Sequence, residues 1–138
     1  HIIANEKPAC ALKQLVIFDY ETNQMMLTCK RHEGWEGSLM CETEVMLKYK
    51  YGNLNISEDT YLTQQLSERK LINSIDNPMM YVYFFHTQNT SSRTHLQKIK
   101  DGSDKPTNSQ EGLLRTYIKG YISDFKEMTS KSVKKEVL

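Results

Sequence analysis

The chain has 138 residues, 38% hydrophobic and 25% charged, with a formal net charge of +1. That length suits a single domain spanning 1–138, with room for a real core but not for two. The near-neutral balance excludes the strong field that would draw the chain to nucleic acid or an anionic membrane. The longest apolar run, Met79–Phe85, is far short of the roughly 20 residues of a membrane helix. No nucleic-acid partner and no direct membrane insertion are therefore expected of this segment. It begins at His1 rather than an initiator Met, as a processed form or an excised piece does, so the lack of a leader or anchor is uninformative.

Residues 1–9 read as an irregular lead-in, with Pro8 opposing regular structure. Leu15–Tyr20 is apolar on both faces until Asp19, the mark of a central strand covered on both sides. Glu21–Gln24 is a turn into a second strand, Met25–Arg31. From Leu39 to Tyr51 every second residue is Leu, Cys, Thr, Val, Leu, Tyr and Tyr, while the intervening ones are mostly charged. That period of two predicts a long half-buried antiparallel strand, bulged near Met46 because it exceeds the usual length. His32–Gly37 is then the hairpin connection. If the hairpin is symmetric about Trp35, Cys29 lies opposite Cys41, within reach of a disulfide at a non-hydrogen-bonded pair.

The period then changes. Asn55 or Ser57 caps a helix with Glu58 and Asp59 in its first turn, and Tyr61, Leu62, Gln65, Leu66 and Ile72 share one face before Asn73–Pro78 stops it. Met79–Phe85 reads as a second central strand. Arg93–Lys100 alternates weakly as a strand, although Leu96 is out of phase with Ile99. Asp101–Asn108 is a loop. Ser109 caps the clearest helix, whose stripe comprises Leu114, Tyr117, Ile118, Tyr121, Ile122, Phe125 and Met128. Residues 130–138 form a frayed basic tail. Strands, helix, strands, helix without βαβ alternation give an α+β fold: an antiparallel or mixed sheet of about five strands, with two amphipathic helices packed on one face.

Three cysteines suggest one bridge and one spare thiol. Cys29 and Cys41 are the disulfide candidates, and Cys10 the free or intermolecular thiol. Two acceptor sequons start at Asn89 and Asn55; Asn89 is the stronger glycosylation candidate because Asn55 is also a cap candidate. Together these features point to the secretory pathway, extracellular or at the cell surface.

Chemistry-bearing clusters are sparse. Cys29, His32 and Cys41 have half the spacing of a zinc site but lack a second Cys or His pair, so no metal or cofactor is expected. Cys10 has no local signature of a nucleophile. Glu42 and Glu44 share one strand face with Lys48 and Lys50 and read as a solvated surface. Arg93, His95, Lys98, Lys100 and Lys105 are basic but diluted by Asp101 and Asp104, and no nucleic-acid motif accompanies them. Trp35, flanked by Gly34 and Gly37, is either folded back on the sheet or presented at a hairpin tip as the candidate partner-binding residue. With no catalytic motif, the expected function is a non-enzymatic extracellular protein-binding domain, secreted or the ectodomain of a cell-surface or pathogen protein. The rivals are a carrier with an apolar pocket lined by Phe84, Leu113, Tyr117 and Tyr121, and an intracellular adaptor with reduced cysteines.

Overall fold

The computed structural model describes residues 7–51, 58–87, 89 and 92–135, and at 58, 126 and 128–135 the backbone alone. In chain order these residues form β1 (Ala9–Leu12), β2 (Val16–Asp19), β3 (Gln24–Leu27), β4 (Met40–Cys41), α1 (Thr43–Lys48), α2 (Glu58–Glu68), β5 (Ile72–Ile75), β6 (Val82–Phe85), α3 (Arg93–Lys100) and α4 (Asn108–Lys135). Single 3-10 turns occupy Glu36–Ser38 and Pro78–Met80.

The spine is a strand that bends. β1 and β2 are separated only by Lys13, Gln14 and Leu15, and every residue of both is buried. Parallel to them run β5 and β6, in register from Ala9↔Ile72 to Leu12↔Ile75 and from Val16↔Val82 to Asp19↔Phe85. On the other side lie antiparallel β4 and β3. The result is two three-stranded mixed sheets, β4-β1-β5 and β3-β2-β6, rather than one sheet of about five strands. The fold is mixed α+β.

Both sheets are closed by apolar packing. Ala9, Ala11 and Ile72 of the first sheet meet Val45 of α1 and Leu62 and Leu66 of α2. In the second sheet the pleat sends alternate side chains to opposite layers. Ile17, Met26 and Phe85 pack with Trp35 and with Leu96 of α3. Val16, Phe18, Met25 and Leu27 pack with Leu114 and Ile118 of α4. Helices therefore cover both faces of β3-β2-β6, not one. Burying each Leu contributes roughly 1.5–3 kcal/mol, so these layers offset the modest helical propensity of an α4 that carries Gly112 and Gly120.

The long expected strand Leu39–Tyr51 is corrected to the two-residue β4 and the helix α1. Cys41, Val45 and Tyr49 fit a period of two, but they also stand at i, i+4 and i+8, one helical face. All three pack in the first core, whereas Leu47, which a strand would bury, is 69% exposed. Glu, Val, Met, Leu and Lys in succession also favour a helix over a strand.

Arg93–Lys100 is likewise helical. Its out-of-phase Leu96 and Ile99 are an i, i+3 pair on the second core, and the Ser92 hydroxyl accepts from the His95 N–H. α2 stops at Glu68, where Lys70 adopts φ 57°, and Ile72 belongs to β5 rather than to the helix. Met79–Phe85 supplies a 3-10 turn and an edge strand, not a central one. Ala9 opens β1 and is fully buried, so the lead-in ends before it. α4 runs to Lys135, past the expected fraying point. The Asn55 and Ser57 caps, the Met128 side chain and residues 136–138 lie outside the described residues.

Gly34 holds φ +88°, and a Cβ there would stand 2.5 Å from that of Ala11. Gly112 and Gly120, on α4, would meet nothing within 4 Å. The same substitution should therefore have opposite signs. Gly34→Ala is expected to destabilise by about 2–3 kcal/mol, and Gly120→Ala to stabilise by up to about 1 kcal/mol. Urea unfolding of the two variants measures both.

Candidate interaction surface

Trp35 is not at a hairpin tip. β3 and β4 belong to different sheets, so residues 29–39 connect two sheets instead of closing one ribbon. The indole is 8% exposed, packs in the second core, and donates from Nε1 to the Cys29 carbonyl at 3.0 Å. The Arg31 guanidinium lies 3.8 Å from the ring centroid and pairs with Glu36 at 3.0 Å. Of its two sequence readings, the structure shows the folded-back one, and Trp35 is corrected from surface anchor to core residue.

The same topology removes the reason for a Cys29–Cys41 bridge. Cys41 is opposite Ala9 in β4-β1-β5, while Cys29 follows β3 on the other sheet and is exposed. No pair of the three sulfurs is joined. Cys10 is buried next to that β4 pairing, in register with Met40. Burial pushes the thiols of Cys10 and Cys41 above their ordinary range, and for Cys41 the neighbouring Cys10 adds to the effect. Both therefore stay protonated and poorly nucleophilic at neutral pH. Among the described residues, no three His, Cys, Asp or Glu side chains form a group able to hold a metal.

Asn89 is half-buried, and its side-chain oxygen accepts from the His86 N–H while its own N–H donates to the His86 carbonyl. This closes a tight turn after β6. The other sequon, at Asn55, lies outside the described residues.

The expected basic patch is partly consumed by structure. Arg93 donates to the buried Asp19 carboxylate at 2.6 Å and also pairs with Glu21. Lys100 donates to Gln24 at 3.0 Å. Glu42 and Glu44 flank the start of α1 rather than sharing a strand face. With Pro8, Val45, Lys48, Tyr49 and Leu71 they border a shallow groove of about 240 Å³. Lys48 and Arg69 stand 5.2 and 5.1 Å from the centroid of the Tyr49 ring in that region.

The surface that the sequence misplaced is on α4. Leu114 and Ile118 are buried and Ile122 and Phe125 partly so, with Phe125 against Tyr20 at 4.6 Å between ring centroids. Leu113, Tyr117 and Tyr121, spaced i, i+4 and i+8, are 50%, 70% and 71% exposed. The apolar stripe was too wide for one contact face, since a surface helix buries an arc of little more than 100°. Its tyrosines, which carry a polar tip, fall outside that arc. Leu113, Tyr117 and Tyr121 consequently do not line the pocket expected beneath the helix, and Phe84 packs against Phe18 at 4.9 Å. Arg115 pins the helix by donating to the Asn23 side chain and carbonyl at 3.0 and 2.9 Å. No helix among the described residues is long and apolar enough to cross a membrane.

Comparison of the chain with protein-family models, with curated proteins and with solved structures finds no match in any of the three.

Thiol reactivity should follow burial. In native protein near pH 8, iodoacetamide is expected to label Cys29 first and Cys10 only on unfolding. Peptide mass spectrometry over a time course measures this.

Proposed function

We propose that this chain is a non-enzymatic protein-binding domain whose partner docks on the outer face of α4. The observation that carries this reading is the row Leu113, Tyr117 and Tyr121, exposed together on a helix whose other face is fixed to the sheet. Tyrosine combines large contact area with a polar handle and few rotatable bonds, which suits it to interface anchors. A helix pinned by Arg115 to the β2–β3 turn presents the row with little ordering cost. Trp35 no longer serves as the anchor.

Extracellular placement remains part of this reading through the Asn89 sequon, while its disulfide support falls away with the hairpin. An exposed, unbridged Cys29 favours the second reading, an intracellular adaptor with reduced thiols.

Partner capture from host tissue separates the surfaces. Tyr117→Ala and Tyr121→Ala should each weaken capture by about 30-fold or more while shifting stability by no more than about 0.5 kcal/mol. Trp35→Ala should cost about 3–5 kcal/mol of stability. Full capture by the tyrosine double variant would sink the α4 proposal. Peptide-N-glycosidase should lower the mass of native material if Asn89 is glycosylated; an unmodified Asn89 with three reduced thiols would favour the adaptor.

A further inference from the structure

We infer that the open edge of β6 is a self-association surface, on which β6 of a second copy adds antiparallel about a two-fold axis at Tyr83. The register fixes which backbone groups are used. Val16 N–H donates to the Tyr81 carbonyl at 3.2 Å, and Tyr20 N–H to the Phe85 carbonyl at 2.9 Å. With Val16 opposite Val82 in a parallel pair, Tyr81, Tyr83 and Phe85 direct their polar groups towards β2. The N–H and C=O of Val82 and Phe84 therefore point outward, and β6 is the last strand of its sheet.

Among the described residues, this edge lacks the usual protections. Natural edges are guarded by charge, proline, bulges or a covering segment, yet between Pro78 and Arg93 there is no Asp, Glu, Lys, Arg or Pro. The margins of β3 and β5 differ. Across the same sheet, Leu27 N–H and C=O are both taken by Asp104, at 2.8 and 2.9 Å. On β5, Lys7 donates to the Ile72 carbonyl at 3.1 Å.

The outward pattern is also self-complementary. Two copies related at Tyr83 set Val82 against Phe84 and Phe84 against Val82, both as hydrogen-bonded pairs, giving four inter-chain bonds. Tyr83 then meets its equivalent at the non-hydrogen-bonded position, where side chains approach most closely. Tyr83 belongs to the α3 layer, and Val82 and Phe84 to the α4 layer. Aromatic–aromatic contact thus forms on one face and aromatic–β-branched contact on the other, both favourable cross-strand pairs. No formal charge faces its own copy across the axis. Because the β3 margin is covered at Leu27, association stops at two chains rather than propagating into a fibre. One short strand per copy makes this a small interface, with a dissociation constant of roughly 1–100 µM.

Amide exchange in the wild-type protein tests the proposal directly. Between about 1 µM and about 1 mM protein, the Val82 and Phe84 amides should gain protection about fivefold or more, while those of Tyr83 and Phe85 are protected throughout. Concentration-independent fast exchange at Val82 and Phe84 would overturn it. Sedimentation equilibrium adds a substitution pair. Val82→Pro takes away an outward N–H and no hydrogen bond to β2, and Tyr81 before it is already extended at φ −146°, ψ 128°. It should weaken the dimer at least tenfold, whereas Val82→Ala, which loses similar packing but keeps the N–H, should weaken it less than threefold. Equal effects of the two, or a wild type monomeric at about 1 mM, would refute edge pairing. None of these changes touches the outer face of α4, so the outcome is independent of partner capture there.

Discussion

The bend at Lys13-Gln14-Leu15 is the constraint on which the rest depends. A buried strand cannot change direction without exposing backbone polar groups to an apolar interior, at a cost of about 1–3 kcal/mol for each one left unpaired. Here each is met. Lys13 N–H donates to Ile75, and the Lys13 carbonyl accepts from Arg31 at 2.8 Å. The Thr28 hydroxyl accepts from Leu15 N–H at 3.1 Å, Thr28 N–H returns to the Leu15 carbonyl at 3.0 Å, and Gln14 Nε2 reaches the Thr28 carbonyl at 2.6 Å. Gln14 and Thr28 are among the few buried polar side chains, and their burial is explained by this exchange. The parallel neighbour accommodates the same bend differently, by looping out Asp76–Tyr81 between β5 and β6. Once the spine is split, there are two sheets, two sets of covering helices, and a long 29–39 connection that must carry its Trp inward.

A second constraint sits at the far end of the spine. Asp19 is 2% exposed, and a buried carboxylate without partners would be prohibitive. Its Oδ1 accepts from the N–H groups of Glu21 and Thr22 at 3.1 and 3.4 Å, shaping the β2–β3 turn, and its Oδ2 receives Arg93 from α3. Arg115 of α4 grips Asn23 in the same turn, where φ is 55°. Two helices on opposite faces are therefore registered against one turn. Arg93 also lies 4.9 Å from the Phe85 ring, so the clamp reaches the strand carrying the open edge.

How much of this was legible in the sequence depended on whether one period excluded the other. Leu15–Tyr20 was readable because an apolar run on both faces has few alternatives at that length, and it is the buried central strand. Leu62 and Leu66 were readable as a helical pair. Cys41, Val45 and Tyr49 were not decisive, because positions four apart satisfy both periods. Leu96 and Ile99 carried the helical signal openly as an i, i+3 pair, which the alternation of a strand would send to opposite faces. The pairing partners were beyond local reading altogether. Parallel contacts between β1 and β5 join residues about 60 apart, and nothing near Trp35 declares that β3 and β4 part company. With that pairing went the expected opposition of Cys29 and Cys41, which a different topology cancels even when both segments are correctly seen as strands.

Met79–Phe85 shows how a correct composition argument can yield the wrong position. Its residues are apolar on both faces because α3 covers one side and α4 the other, and that cover is what a central strand also requires. Two-sided burial is a statement about layers above and below a strand; it is silent about neighbours to the left and right. Only the hydrogen-bond direction, fixed by Val16 and Tyr20, reveals that among the described residues β6 has a strand partner on one side alone. The surfaces of interest on this chain arise in that gap between the two kinds of burial. α4 spends one arc on the sheet and leaves Tyr117 and Tyr121 outside, and β6 spends both side-chain faces on the core and leaves its backbone outside.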